Sequence, residues 1–372
     1  MNSSHAPAVA ALPIRRCCAG LLAAGLVAGC AAGAGGGSRF AMQSAPEQVR
    51  MVWPGPPEVP RYLYAGQLLG EANYRAPREQ GEGVIDFLRW LAGVVVGERA
   101  PVGLQRPQSG IADDFGRIYV TDVSRQAVFV FDPGASGPAV WEKADGLSSF
   151  VTPTGIALGP EGTLLVADAD LGIVARLDRD GNPGESIGRG QLKRPTGLAY
   201  DPRRRRIYVA DTQAHDIKVF DERGALLRTI GRRGERDGEF NYPTYLALAG
   251  DELYVTDTLN HRVQVLSAAD GRLRLKFGVH GLYVGNLVRP KGLAVDGEGN
   301  IYVVESYYDH LLVFNKRGEF LMAIGGLGTE AGKFYLPSGA WTDGRDRVFV
   351  ADTFNGRVTV LQFLGGVADG EY

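Results

Sequence analysis

A repeat written six times constrains the fold of this chain more than any other feature of its sequence. A proline opens each copy, and an acid closes the second apolar run in motifs such as YVTD and LVAD. The prolines are Pro107, Pro153, Pro195, Pro243, Pro290 and Pro337, and the acids are Asp122, Asp168, Asp211, Asp257, Glu305 and Asp352. Because two independent anchors stay in step, the repeat unit sets the fold class.

Each copy contains short apolar runs separated by Gly and Asn. In copy five the runs 293–295, 301–305, 311–314 and 320–324 predict four antiparallel strands joined by tight turns. Such a sheet has two half-apolar faces, which only neighbouring copies can cover. The sequence therefore predicts an all-β, six-bladed β-propeller of four-stranded antiparallel blades over residues 87–364.

The ends of the repeat predict how the ring closes. Copy six ends after its third strand at 357–363, and a strand-like run, FLRWLAG at 87–93, precedes the first proline. This run matches FLMAIGG at 320–326, a fourth strand. We therefore expect the N-terminal strand 87–93 to complete the last blade and remove its free edge.

Residues 1–30 have the pattern of an export signal, with two arginines before an apolar stretch that is too short to span a bilayer. VAGC at 27–30 resembles a bacterial lipobox, in which Cys30 is acylated and becomes the mature N-terminus. The alternative is a secretory signal cut near Ala28 or Ala32. The lipobox resemblance implies a periplasm-facing lipoprotein, and Ala31 resembles outer-membrane sorting.

Composition divides the segments that flank the repeat. Residues 31–52 begin with a Gly-, Ala- and Ser-rich stretch typical of a flexible tether, and 53–86 begin with prolines followed by a strand or apolar strap near 62–69. Residues 365–372 are expected to form a tail. The 40 Lys and Arg against 42 Asp and Glu provide no basic surface that indicates nucleic-acid binding.

The copies at 194–221 (RPTGLAYDPRRRRIYVADTQAHDIKVFD) and 242–266 (YPTYLALAGDELYVTDTLNHRVQVL), with the linker GRRGERDGEFNYP at 231–243, resemble NHL repeats. The resemblance covers residues 87–363 and implies a six-bladed propeller that serves more often as an interaction module than as an enzyme. We therefore expect a monomeric, membrane-anchored, non-catalytic scaffold that binds a protein, a peptide or an envelope glycan.

The alternative is an enzyme similar to the propeller lyase that cleaves peptidyl-α-hydroxyglycine, or to calcium-dependent lactonases. That resemblance would imply calcium or zinc on the axis, held by histidines or by carboxylates with asparagine. The inner strands read GLA, YLA, GLA and GAW instead, and Asp113 and Asp114 are the exceptions. Because the match fails residue by residue, we assign no catalytic residue, metal or other cofactor.

Candidate binding residues are those that break the repeat near the axis. Tyr245 stands where the other copies have Gly110, Gly155, Gly197, Gly292 and Gly339, and Trp341 replaces Ala157, Ala199, Ala247 and Ala294. These two aromatic residues either line a central pocket or plug the channel.

Further candidates lie on the face that carries the turns between second and third strands and the linkers between copies, here called the upper face. The linker candidates are His280, Tyr283, Arg232 and Arg233. The turn candidates are His261 and His310. Together with His215 they are expected to have a turn-forming or surface role rather than to form a metal site, because the blades hold the three imidazoles too far apart.

Two charged motifs also have structural interpretations. The repeated acids are expected to accept backbone N–H bonds within their turns. Four arginines at 203–206, on the opposite or lower face, either bind anionic lipid or form a solvated hairpin tip.

Overall fold

The computed structural model describes residues 40–43, 51–74 and 102–365 of the chain. These residues form six antiparallel sheets, and in the sheets of copies one to five the strands follow one another in sequence order. The first strands of successive copies contact one another, and the first strand of copy six contacts that of copy one. The chain is therefore a closed six-bladed β-propeller, as the repeat predicts.

Copy one contains Pro107–Ala112, Ile118–Asp122, Ala127–Phe131 and Ala139–Trp141; copy three contains Pro195–Asp201, Arg206–Asp211, Asp216–Asp221 and Leu226–Ile230. Copy four contains Pro243–Ala249, Glu252–Asp257, Arg262–Ser267 and Leu273–Phe277; copy five contains Pro290–Val295, Ile301–Glu305, His310–Phe314 and Phe320–Gly325. Short 3-10 turns lie at Glu71–Tyr74, Pro160–Gly162, Thr212–Ala214, Thr258–Asn260 and Thr353–Asn355.

Copy two departs from the four-strand prediction. Its sheet contains Pro153–Leu158, Leu164–Asp168 and Ile173–Leu177. In the place of a fourth strand, single bridges join Leu177 to Pro183 and Val174 to Ile187. Proline has no N–H to donate to a ladder, and the sequence NPG at 182–184 therefore interrupts regular pairing.

Copy six is completed by an N-terminal strand, but by a different one from the strand predicted. Its sheet runs Val52–Trp53, Tyr62–Leu68, Arg357–Phe363, Arg347–Asp352 and Ala340–Thr342. Tyr62–Leu68 pairs antiparallel with Arg357–Phe363, so the assignment of 87–93 to this edge is wrong. Residues 87–93 themselves lie outside the described ranges, and the strand alternative for the region near 62–69 is confirmed.

Hydroxyl groups on the upper face join neighbouring blades. Thr212 Oγ1 donates to Pro243 O at 2.7 Å, Thr258 Oγ1 to Pro290 O at 2.8 Å, and Thr353 Oγ1 to Pro107 O at 2.8 Å. The last of these bonds links copy six to copy one. In the part of the chain that the structure describes, no helix has the length and apolar character needed to cross a bilayer.

Candidate functional site

The repeated acids hold the upper face together. Asp168 accepts backbone N–H bonds from Val151 and Thr152 in the preceding linker, and from Asp170 and Leu171 in its own turn. Asp257 accepts from the Asn241 N–H, Asn260 Nδ2 and Arg262 Nε, and burial raises its pKa. These bonds confirm the structural role predicted for the acids and show that each one also fixes a linker.

The histidines in the turns also have a structural role. The fourth residue after the acid adopts the left-handed conformation, with φ of 60° at His215 and 56° at His261. His215 Nδ1 accepts the Tyr242 N–H at 3.2 Å, and His261 Nδ1 lies 2.8 Å from Val288 O. In copy five this position belongs to Asp309, with φ of 57°, so His310 is not the equivalent of His261.

Tyr245 crosses the upper end of the axial channel. Its hydroxyl donates to Gln108 O at 2.9 Å, which joins copy four to copy one on the opposite side of the ring. Burial raises the pKa of this phenol, which keeps it a neutral donor. The bond supports the plug alternative for Tyr245 over an open pocket wall.

Trp341 is buried between copies six and one. Its ring stacks on Phe349 with centroids 5.3 Å apart, and it occupies the space where Gly110 lacks a side chain. Strand pairing confirms that Trp341 occupies the position held by alanine in other copies. Trp341 pairs with Phe349, and Ala157 pairs with Leu165, the equivalent residue of copy two. Trp341 is therefore mainly a packing residue.

The equivalence of Gly110 with Tyr245 is wrong by one residue. Gly110 pairs with Val120, whereas Ile156 pairs with the corresponding Val166. Gly110 and Ile156 both lie three residues after the opening proline, so Ser109, two residues after its proline, takes the place of Tyr245. The glycine of copy one lies one place later than the glycines of copies two, three, five and six, and alignment at glycine alone hides this difference.

The first strands enclose an axial cavity of about 240 Å³. Its lining includes Tyr245, Trp341, Tyr200 and Thr342 among Gly, Ala, Leu, Ile and Val residues. Among the described residues, this lining contains no His, Asp, Glu or Asn, and no group of three or more His, Cys, Asp or Glu side chains is placed to hold a metal. The described axial residues thus do not fit the ligand set of the lyase or the lactonases.

The linkers 231–243 and 278–290 follow the same backbone path with opposite surfaces. Phe240 N donates to Arg232 O at 2.8 Å, and the equivalent Leu287 N donates to Val279 O at 2.9 Å. The first linker carries Arg232, which pairs with Glu239, and an exposed Arg233. The second carries Leu282 and Tyr283, whose exposed fractions are 84% and 82%.

The linker 278–290, here called the apolar linker, is also bound less tightly than its neighbours by the blade beneath it. Arg262 donates to Arg236 O and Glu239 O in the linker 231–243, and Arg357 holds the linker 325–337 in the same way. In copy five the corresponding residue is His310, which leaves a cavity of about 80 Å³ lined by Tyr283 and His310 together. Burial lowers the pKa of His310.

The structure thus brings some predicted candidates together. Tyr283 and His310 line one cavity, and the rings of His261 and His280 lie 4.2 Å apart between centroids. Tyr245 and Trp341 lie apart from these pairs, on the axis. Cys30 lies outside the described residues.

Three of the four arginines at 203–206 are paired with carboxylates, and Arg206 donates to Ala269 O. Arg204 bonds Asp201 and Asp251, each at 2.8 Å, and Arg205 pairs with Glu222. Arg203 also contacts Asp251. This neutralised hairpin supports the structural alternative over an anionic-lipid site.

The clearest asymmetry of the upper face lies two residues after each acid, a position that is exposed in all six copies. Copies one to three have Ser124, Asp170 and Gln213 there, whereas copies four to six have Leu259, Tyr307 and Phe354. None of these positions is among the candidates predicted from the sequence, although alignment of the copies at the acid reveals the pattern.

We call the two sides of this face the polar half, with copies one to three, and the apolar half, with copies four to six. The apolar half extends into the linkers, where its exposed residues are Tyr242, Val279, Leu282, Tyr283, Val284, Leu327 and Tyr335. The polar half also exposes Leu147 and Val151, both in the linker between copies one and two. The apolar surface is therefore concentrated over three adjacent blades.

Comparison with known proteins assigns the repeat. The family model described as NHL repeat matches residues 240–266, which span the end of one linker and the first three strands of copy four. The chain is a six-bladed β-propeller with an NHL repeat. The match contains Asp257 and His261, which the structure assigns to the shared framework.

Two curated relatives also match parts of this propeller. The protein brain tumor of Drosophila melanogaster is 32% identical over 139 residues, which are 37% of this chain and 13% of that protein. NHL repeat-containing protein 2 of Bos taurus is 29% identical over 153 residues, with 32% of this chain and 21% of that protein covered. This chain therefore spans only a small part of the length of either relative.

Solved structures share the fold. A gluconolactonase from Xanthomonas campestris superposes with a TM-score of 0.54 at 17% identity, covering 70% of this chain and 86% of that one. At this identity the likeness concerns the propeller architecture alone.

Proposed function

We propose that this protein is a non-catalytic binding module that holds a partner protein on the apolar half of its upper face. The observation that carries the proposal is the change of polarity two residues after the acid. Ser124, Asp170 and Gln213 show that the turn forms with a polar residue, so folding does not require Tyr307 or Phe354 there.

The exposed residues of the apolar half suit protein recognition. Tyr307 and Phe354 are 53% and 47% exposed, and Tyr335 lies 5.4 Å from Phe354 between ring centroids. Large aromatic side chains bury much area with little loss of conformational freedom, and they are frequent at the centres of interfaces. Exposed apolar residues concentrated on three adjacent blades in this way are typical of a protein–protein interaction site.

The proposal includes a lipid anchor at Cys30 and a location in the cell envelope, facing the periplasm. Phe40 packs near Phe131 at the lower end of blade one, with centroids 6.4 Å apart. The ten residues that separate Cys30 from Phe40 reach at most about 35 Å.

The proposal is tested by crosslinked capture from the native envelope with full-length protein. The Tyr307→Gln and Phe354→Gln double variant, which carries the residue found at position 213, is expected to lose the captured partner and to keep the wild-type melting temperature. Gln213→Ala in the polar half is the matched control and should capture normally. Equal capture by the double variant would refute the assignment of this face.

Two further measurements test the rest of the proposal. Cys30→Ala should move the protein from the membrane fraction to the soluble fraction, because acyl burial supplies the membrane affinity. Metal analysis after dialysis separates the scaffold from the axial enzyme. Stoichiometric calcium or zinc in the purified protein would favour the enzyme.

A further inference from the structure

One pair of equivalent positions differs in chemistry between the two halves. In the polar half, Arg194 before copy three forms an ion pair with Asp170 of copy two, with Nη1 and Oδ1 2.7 Å apart. At the same two positions, Arg106 before copy one lies over Phe354 of copy six, 5.0 Å from the ring centroid. Asp170 thus neutralises its arginine, whereas Phe354 leaves the guanidinium charge uncompensated.

A second arginine in the apolar half also lies over an aromatic ring, although this ring belongs to the copy that follows the arginine rather than to the one before it. Arg289 lies over the ring of Tyr307, with its guanidinium carbon 5.8 Å from the centroid. Within residues 40–43, 51–74 and 102–365, neither Arg106 nor Arg289 makes a side-chain hydrogen bond or an ion pair. A guanidinium on an aromatic face keeps its N–H donors at the ring edge, where they can bind a carboxylate in bidentate fashion.

The acids nearest to these arginines are already engaged. Glu305 accepts the backbone N–H groups of Val288, Arg289 and Tyr307. Asp122 accepts the backbone N–H groups of Gln105 and Arg106, and those of Ser124 and Arg125 in its own turn. Both carboxylates are buried, and among the described residues neither accepts a hydrogen bond from the guanidinium group of Arg106 or Arg289.

Lys291 adds a third cation without a partner. It follows the proline of copy five, where copies two to four have Thr154, Thr196 and Thr244. Those hydroxyl groups bond within the protein, whereas Lys291 has no hydrogen bond or ion pair with any described residue. Burial lowers the pKa of Lys291, as expected for an ammonium that lacks a counterion.

We propose that the segment held by the apolar half is an acidic peptide, whose carboxylates bind Arg106 and Arg289 while its apolar side chains pack on the aromatic surface between them. This inference rests on the proposed function and adds the chemistry of the partner. Tyr335 and Phe354 of copy six lie between the two arginines in ring order. A peptide with both acidic and apolar side chains would complement the positive charge of the two arginines and the aromatic surface between them.

A peptide fits these residues better than a nucleic acid does. Nucleic-acid binding draws on many phosphate contacts and an extended basic surface. The whole chain has a formal charge of −2, so it has no net excess of positive charge. Two arginines and one lysine suit a few carboxylates better than a continuous phosphate backbone.

The test is selection of random linear peptides displayed on phage against the full-length protein. Enriched sequences are expected to combine Asp or Glu with apolar residues. Binding of a fluorescent synthetic copy is expected to weaken at least about tenfold in the Arg106→Glu and Arg289→Glu double variant, since each change removes a charge-assisted bidentate pair. Arg194→Glu in the polar half is the matched control and should bind like the wild type.

Several outcomes would overturn the inference: no enriched peptide, enriched peptides without acids, or equal affinity in the arginine double variant with a normal melting temperature. Tighter binding of a fluorescent oligouridine than of the best peptide would assign the face to nucleic acid instead. The proposed function is judged separately. If envelope capture needs Tyr307 and Phe354 but not the arginines, the function stands and the acidic partner is wrong.

Discussion

The polar and apolar halves of the upper face differ in what they expose and agree in how they fold. Asp168 in copy two and Asp257 in copy four both accept backbone N–H bonds from the linker that precedes them. Their exposed neighbours, Asp170 and Leu259, have opposite character. In a repeat protein, shared framework residues therefore report on stability, and the residues that differ at equivalent exposed positions report on binding.

The two linkers show the same contrast on a smaller scale. Glu239 N donates to Arg236 O at 3.0 Å, and Asn286 N donates to Tyr283 O at 3.0 Å, so the turns have matching hydrogen bonds. Arg236 and Tyr283 nevertheless present opposite surfaces. The linker of the apolar half also lies over a cavity where its neighbour is held by Arg262.

The largest expected effect tests the shared framework. Asp257→Ala should lower the free energy of unfolding by about 3–5 kcal/mol, because it leaves Arg262 buried without its partner. Asp168→Ala should cost less, about 1–3 kcal/mol, since that acid binds only neutral donors. Chemical denaturation measures both values. If both variants lost the same free energy of unfolding, the ion pair between Asp257 and Arg262 would add nothing to the stability of copy four.

Exchange of the linker surface should affect binding rather than folding. Replacing residues 279–284 (VHGLYV) with the sequence of 232–237 (RRGERD) keeps glycine at the third place and the turn hydrogen bonds. We expect a melting temperature close to that of the wild type and a loss of about tenfold or more in partner affinity. The reverse exchange at 232–237 is the control. If both chimaeras bind normally, the linker lies outside the interface.

His310→Arg should make the apolar linker resemble its neighbours. The longer side chain fills the cavity of about 80 Å³ and can donate to linker carbonyls, as Arg262 does. The expected gain is about 0.5–1.5 kcal/mol, with slower hydrogen exchange at residues 279–286. Faster exchange would mean that the cavity cannot accept the guanidinium group.

The smallest expected effect is a pH dependence in the polar half. Burial and the nearby Arg233 charge lower the pKa of His215, and its Nδ1 must be unprotonated to accept the Tyr242 N–H. A lowered folded-state pKa means that this stabilisation is present above about pH 6.5 and is lost as the pH falls below that value. Melting temperatures at several pH values should decline less in His215→Asn, whose amide oxygen can accept the same bond at any of these values. If the melting temperatures of the wild type and of His215→Asn declined in parallel, His215 would not be a source of acid sensitivity.

The sequence predicted much of the fold because local patterns recur. Prolines and acids in step define the copies, and short apolar runs between turn residues define the strands. Closure of the ring by an N-terminal strand was predicted correctly, but that strand was assigned to 87–93 instead of Tyr62–Leu68. Strand pairing across nearly the whole chain depends on long-range packing, and both segments have suitable apolar patterns.

The candidate site was predicted less well. Tyr283 and His310 were separate candidates, and only the fold shows that they line one cavity. Tyr307 and Phe354 carry a sequence signal, since their polar siblings occupy equivalent places, but the exposure of all six is a tertiary property. His261 has a conspicuous sequence position and proved to be a turn residue with φ of 56°.

The sequence by itself determined the number of copies, the strand pattern and the structural acids, because each of these depends on residues close together in the chain. Only the tertiary structure decided which strand closes the ring, that Tyr245 crosses the axis to Gln108, and which half of the upper face is apolar. The physical reason is that these features require contacts between copies, and such contacts exist only when six half-apolar sheets have closed into a ring.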